Sequence, residues 1–202
     1  MVEPEKELVK KNETMEWVKA IVIAAGLVFI IRLFIFAPFI VDGASMEPNF
    51  ETGERLIVNK IIYSLREPKR GEVIVFHAPN DTRDYIKRVI GLPGETVKVE
   101  GDKLYINNVL FEEDYIKDAQ IKAADNGGTY NTRNYNIENE LEAGVIPEGK
   151  IFVMGDNRSN SSDSRVFGAV TYKSIIGRAD IIFWPLNKFS FIKHAYSYEV
   201  EK

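Results

Sequence analysis

The chain has 202 residues with 26 Lys and Arg against 30 Asp and Glu, a formal charge of −4; this size fits one large domain with appendages, and the acidic balance argues against nucleic-acid binding through a basic field. Cysteine is absent and the histidines are His77 and His194, which excludes disulfides, cysteine nucleophiles, thiolate metal sites and sites with several histidine ligands. The 45% hydrophobic content and mean hydropathy of −0.17 suit a soluble globular protein, but such averages hide local segments.

The first predicted element is such a segment. Ala20 to Ile31 reads AIVIAAGLVFII with no polar side chain, and after Arg32 the apolar character resumes to Val41. These 22 residues make about 33 Å of helix at roughly 1.5 Å per residue, enough for a hydrocarbon core of about 30 Å. Arg32 near the middle would cost about 2.5 to 3.5 kcal/mol. A span starting near Trp17 relieves that cost by letting Lys19 and Arg32 snorkel to opposite interfaces, with Leu33 to Val41 at the membrane surface. Pro38 favours an early helix end because it pushes Ala37 to extended geometry. Lys6, Lys10, Lys11 and Lys19 precede the run, whereas Arg55 and Lys60 follow it, a bias that places the N-terminus in the cytoplasm and the body outside.

The expected organisation is a cytoplasmic arm over 1–19, a membrane anchor with the segment leading into the body over 20–41, and an extracytoplasmic β domain over 42–202. In that domain Arg55–Tyr63, Glu72–His77, Asp84–Gly91, Thr96–Glu100, Lys103–Ile106, Ile151–Met154 and Ala179–Trp184 are short, β-branched and punctuated by Gly, Pro or Asn, which predicts strands. Gly101-Asp102 signals a two-residue hairpin turn. Apolar periodicity fades between Asp125 and Gly144, so a polar insertion or cap is expected over about 110–148. The fold class expected is mainly β, with antiparallel sheets and one N-terminal transmembrane helix.

With thiols absent, chemistry falls to hydroxyl, amine and carboxylate groups. Asp42-Gly43-Ala44-Ser45-Met46-Glu47-Pro48 offers a serine in a small-residue approach whose amide is free to donate, although such serines are also ordinary turn residues. In Tyr85-Ile86-Lys87-Arg88-Val89-Ile90, a strand puts Lys87 on one face between Tyr85 and Val89. Desolvation there would lower its pKa towards that of a general base; an edge-strand lysine is the plain alternative. The stretch Gly155 to Arg165, GDNRSNSSDSR, reads equally as a solvated turn or as a loop cross-linked by its own Asp and Arg residues.

Taken in order, the apolar N-terminal run, Ser45-Met46-Glu47-Pro48, Arg70 to Phe76 (RGEVIVF), Tyr85 to Glu95 (YIKRVIGLPGE) and Gly155 to Gly168 (GDNRSNSSDSRVFG) resemble bacterial type I signal peptidases, or leader peptidases. The resemblance covers nearly the whole chain. It implies a membrane-anchored serine endopeptidase that cuts signal peptides from exported preproteins after small-x-small (Ala-x-Ala) sequences. Ser45 matches the nucleophile and Lys87 the general base of a Ser/Lys dyad. Ser161 matches the hydroxyl that orients the lysine, while Asp163, Arg165, Asp156 and Arg88 match supporting residues. Phe39, Val41, Met46, Phe50, Tyr85 and Ile86 match positions lining substrate subsites. Gly43 stands where some relatives carry a serine hydroxyl for the oxyanion, a departure typical of the Gram-positive branch, which leaves the Ser45 amide as the identified donor. The partners implied are signal-peptide-bearing preproteins and the lipid bilayer; no cofactor, metal or nucleic acid is implied. Rival readings are a Ser-His-Asp hydrolase using His77, a membrane-tethered binding or assembly factor without catalysis, and a self-cleaving repressor.

Overall fold

A computed structural model describes residues 13–79, 81–141 and 143–194. The chain divides into two units, Met1–Ile35 and Phe36–Lys202. In the first, α1 runs from Glu13 to Phe34, beginning before the apolar run, and Trp17, Ile21, Val22, Leu27, Val28 and Phe29 are exposed along it. Among the described residues no helix is long and apolar enough to cross a membrane. Lys6, Lys10 and Lys11 lie outside the described residues, as does the side chain of Arg32.

The second unit is built from antiparallel strands. Its main sheet contains β1 (Phe36–Ile40), β2 (Arg55–Asn59), β3 (Val73–His77) and β4 (Asp84–Gly91). A smaller sheet holds β5 (Val97–Glu100), β6 (Lys103–Ile106), β7 (Val109–Phe111) and β8 (Tyr135–Asn136). The chain then returns to the main sheet with β9 (Lys150–Met154), β10 (Val170–Thr171), β11 (Ile175–Trp184) and β12 (Ser190–Phe191). The main sheet is ordered β1-β2-β11-β3-β4-β9-β10, with β12 against β11, and the smaller one β7-β6-β5-β8.

Several boundaries differ from expectation for identifiable reasons. Phe36–Ile40, expected to accompany the anchor, is an edge strand paired with β2, Pro38 opposite Ile57. Proline has no N–H to give, so an edge is where a sheet tolerates it. The expected strand over Arg55–Tyr63 stops at Asn59 and gives way to the helical turn α2 (Ile62–Leu65). Within 110–148, where a polar insertion or cap is expected, the chain forms most of β7, then α3 (Lys117–Asp125), β8 and α4 (Ile137–Glu140), with β7 and β8 at the two edges of the smaller sheet. The predicted hairpin at Gly101-Asp102 is present, with Glu100 opposite Lys103. Asp102 accepts from the amides of Tyr130 and Asn131 at 3.1 and 2.7 Å, which pins the aperiodic segment to that hairpin.

Two of the recognised motifs lock each other. Arg70 donates to the Ile90 carbonyl and pairs with Glu95, whose other oxygen accepts from the Leu92 amide. Both strands at the centre of the main sheet are covered. Val73, Ile74, Val75 and Phe76 of β3 are buried, as are residues 86–91 of β4. Their register sets Lys87 opposite Ile74 and Arg88 opposite Val73. Lys87 therefore sits in a central strand, where its solvation shell is stripped, and not at a sheet edge.

Candidate active site

The segment from Asp42 to Phe50 leaves β1 through Gly43, whose φ of +98° suits a residue without Cβ. A tight turn follows, with Glu47 N–H donating to the Ala44 carbonyl and Asn49 and Phe50 N–H to the Met46 carbonyl. The buried Met46 side chain fixes this turn from below, packed with Val41, Phe50, Leu56 and Ile86. Ser45 is thereby held at the surface. Among the described residues no acceptor takes its backbone N–H, the condition for an amide that is to serve an incoming oxyanion.

Lys87 approaches from β4. Its Nζ lies 2.7 Å from Ser45 Oγ and 2.9 Å from the Ile86 carbonyl, and 5.2 Å from the centre of the Tyr85 ring. The residue is 3% exposed. Burial lowers its pKa from 10.5 to about 8, against the opposing pull of the Asp163 and Asp156 carboxylates. A fraction of the amine is therefore neutral near pH 7 and able to accept a hydroxyl proton.

The loop over 155–165 forms the third side and is cross-linked. Arg165 pairs with Asp163 through two bonds of 2.8 Å and also reaches Asn131 and the Arg158 carbonyl. Burial opposes the charge on Asp163, yet the Arg165 guanidinium and the Gly155 N–H outweigh it and hold the carboxyl below its usual range. Arg88 grips Asp156 at 2.8 and 2.6 Å, and its guanidinium lies 4.1 Å from the centre of the Tyr115 ring. Arg158 pairs with Glu113 and donates to the Tyr115 hydroxyl oxygen at 3.0 Å. These buried pairs tie the loop to β4 and to the smaller-sheet lobe.

The predicted site residues divide accordingly. Ser45, Lys87, Gly43, Arg88, Asp156, Asp163 and Arg165 converge on one region. Ser161 is there too, with its buried Oγ beside the Asp163 carboxylate, whose charge it favours; among the described residues it makes no hydrogen bond to Lys87. A cleft of about 470 Å³ opens beside Ser45 and Lys87, lined by Phe39, Tyr85 and Ile86 together with Ile40, Arg83, Asn160 and Ser162. Val41, Met46 and Phe50 do not reach its surface, being 1%, 0% and 3% exposed in the core that backs it. His77 is exposed at the end of β3 and bonds Asp84 at 2.6 Å.

Three contributors had no individual signal in the sequence. Gly155 packs so closely that a Cβ would collide with the Ser161 side chain and the Ser45 carbonyl. Asn157 holds the Ser45 turn, its N–H and Nδ2 donating to the Ser45 and Ala44 carbonyls, both at 3.0 Å. The Glu113 and Tyr115 pair comes from the aperiodic segment. Gly155 and Asn157 stand inside the GDNR motif, the one hint available.

The chain matches the family described as signal peptidase, peptidase S26, over residues 14–184. It is 40% identical to signal peptidase I P of Bacillus subtilis subsp. natto, over 95% of this chain and 98% of that protein. It is 39% identical to signal peptidase IB of Staphylococcus aureus, over 95% and 99%. A crystal structure of a signal peptidase I from Enterococcus faecalis is similar in fold, with 42% identity and a TM-score of 0.50 over 56% of this chain and 97% of that one. The protein therefore belongs to the signal peptidase, peptidase S26, family, and it resembles the Gram-positive branch. It is a peptide-bond hydrolase of the kind that processes signal peptides.

Proposed function

We propose that the protein is a membrane-anchored serine endopeptidase that cuts signal peptides after small-x-small sequences with Ser45 as nucleophile and Lys87 as general base. The observation that carries this reading is the 2.7 Å contact between Lys87 Nζ and Ser45 Oγ in a buried setting. With the amine neutral, the hydroxyl donates across this contact. As Oγ attacks the scissile carbonyl, its proton passes to Nζ, and the carbonyl oxygen becomes an oxyanion facing the Ser45 N–H. The resulting ammonium gives its proton to the leaving amine, the C–N bond breaks, and an acyl-enzyme remains. Lys87, neutral again, takes a proton from water as it adds to the ester, and returns that proton to Oγ as the acyl–Oγ bond breaks, which releases the acid and restores Ser45 and Lys87.

Specificity for small side chains follows from the walls of the cleft. Phe39, Tyr85 and Ile86 are bulky and are backed by the tightly packed Val41, Met46 and Phe50, so space for the substrate's alternate side chains is shallow. An extended substrate lying between 39–45 and 83–87 gains affinity from its backbone. The membrane reading rests on the apolar Ala20 to Ile31 run within α1 and on a second surface in the body. Phe36 and Ile40 of β1, Trp184 at the end of β11 and Phe191 of β12 are all exposed, an apolar face suited to a lipid interface. The N-terminal lysines favour a cytoplasmic N-terminus and an extracytoplasmic body.

Purified protein mixed with a preprotein carrying an Ala-x-Ala site is the test. Wild type is expected to cut after that site, Ser45→Ala and Lys87→Ala to lose on the order of 10³-fold or more, and His77→Ala to retain most activity. No cleavage by wild type, or cleavage persisting in Ser45→Ala, would overturn the proposal. Loss on His77→Ala with retention in Lys87→Ala would favour the histidine-based rival.

A further inference from the structure

A second groove, of about 480 Å³, lies on the other side of the nucleophile turn and takes no part in the chemistry above. Its floor is Pro48, Tyr130 and Asn157, and its wall is one face of α3, where Ala119, Lys122 and Ala123 face the space. The parts that bound it are hydrogen-bonded to the turn that carries Ser45. Asn157 donates to the Ser45 and Ala44 carbonyls, and the Tyr130 hydroxyl shares its one proton between the Asp156 carbonyl at 2.9 Å and the Glu47 carbonyl at 3.2 Å.

The direction of the catalytic cleft gives this groove an occupant. Both walls of that cleft run from Phe39 and Arg83 at one end to Ser45 and Lys87 at the other, where the 2.7 Å contact closes it. A substrate strand laid along it reaches Ser45 with its scissile carbonyl and must leave beyond, where Glu47, Pro48 and Asn157 begin the second groove. We infer that this groove binds the first several residues downstream of the cut, the leaving segment of the substrate, as an extended chain. The inference rests on the proposed peptidase reading and adds the subsite on its leaving side. Ala119 and Ala123 matter because their small side chains leave the groove open. A bulky residue at either position would fill it from the helix side without touching Ser45, Lys87 or the upstream cleft.

Segments bound away from the reacting bond contribute to the rate when their contacts are realised in the transition state. Two peptides, identical upstream of an Ala-x-Ala cut, test this: one ends two residues after the cut and the other continues for six. With wild type, kcat/KM for the long peptide is expected to exceed that for the short one about tenfold or more. Ala123→Trp is expected to bring the long peptide down to the level of the short one and to leave the short one unchanged, while Ala123→Ser preserves the difference. The short peptide reports directly on whether the variant is folded and active. Equal kcat/KM for the two peptides with wild type, or equal loss on both with Ala123→Trp, would overturn the leaving-side assignment while leaving the peptidase reading intact. Failure of wild type to cut either peptide would overturn both.

Discussion

Lys87 is a charged residue placed where charge is expensive, and this cost is measurable apart from catalysis. Its pKa of about 8 in the native state lies below the ordinary 10.5, so between those values the unfolded chain binds more protons and stability rises with pH. Below pH 8 the cost is fully present, and the gap corresponds to roughly 3 kcal/mol. Lys87→Met is therefore expected to be more stable than wild type by about 2 kcal/mol at pH 7 in urea unfolding, with the difference shrinking as pH approaches 10.5. A Lys87→Met variant less stable than wild type at both pH values would show that the lysine is not desolvated. Gly155 presents the opposite problem, since the packing around it excludes a methyl group. Gly155→Ala must displace either Ser161 or the Ser45 backbone, and a loss of at least about tenfold in kcat/KM is expected even where the variant folds. Unchanged kinetics would show that the Ser45 turn gives way at no cost.

Among the elements, the 155–165 loop does the positioning, and its ion pairs are where its stability is concentrated. Asp163 receives Arg165 and the Gly155 N–H while buried. Asp163→Asn leaves Arg165 without its counter-charge, and breaking a buried pair in this way costs about 3 to 5 kcal/mol. A loss near 3 kcal/mol in urea unfolding is expected; a loss below about 1 kcal/mol would mean that solvent reaches the pair. Much of the element structure was legible from residue patterns. Strand β4 was expected over its observed range, and the Gly101-Asp102 hairpin followed from turn chemistry. Strand β1 was not, because Pro38 argues against a strand unless the strand is known to be an edge. Residue reasoning alone also left Ser45 and Lys87 open, since they are 42 residues apart and their meeting depends on sheet register. The order of the motifs, and not any local pattern, singled them out. Glu113, Tyr115 and Asn131 were illegible for the same reason: their partners are 45, 27 and 34 residues away, at Arg158, Arg88 and Arg165.

At the scale of the whole molecule, composition alone misdescribes the chain. The acidic, soluble-looking average combines a helix carrying an apolar run with a polar β body, and the absence of thiols and shortage of imidazoles narrow the candidate chemistry to hydroxyl, amine and carboxylate groups. The body supplies what the proposed chemistry needs: a central strand that desolvates Lys87, a turn that presents Ser45, and a loop of paired charges that packs against both. The pKa of Lys87 is thus a property of the assembly, set by burial within the sheet and moderated by Asp163 and Asp156 from the loop. The most direct test of the central claim, that this desolvated lysine serves Ser45 as base, is the pH dependence of kcat/KM for preprotein cleavage by the purified protein. The rate is expected to rise about tenfold per pH unit at low pH and to level off above a pKa of about 8. A profile that continues to rise towards 10.5, or one that falls as pH increases through 8, would contradict it.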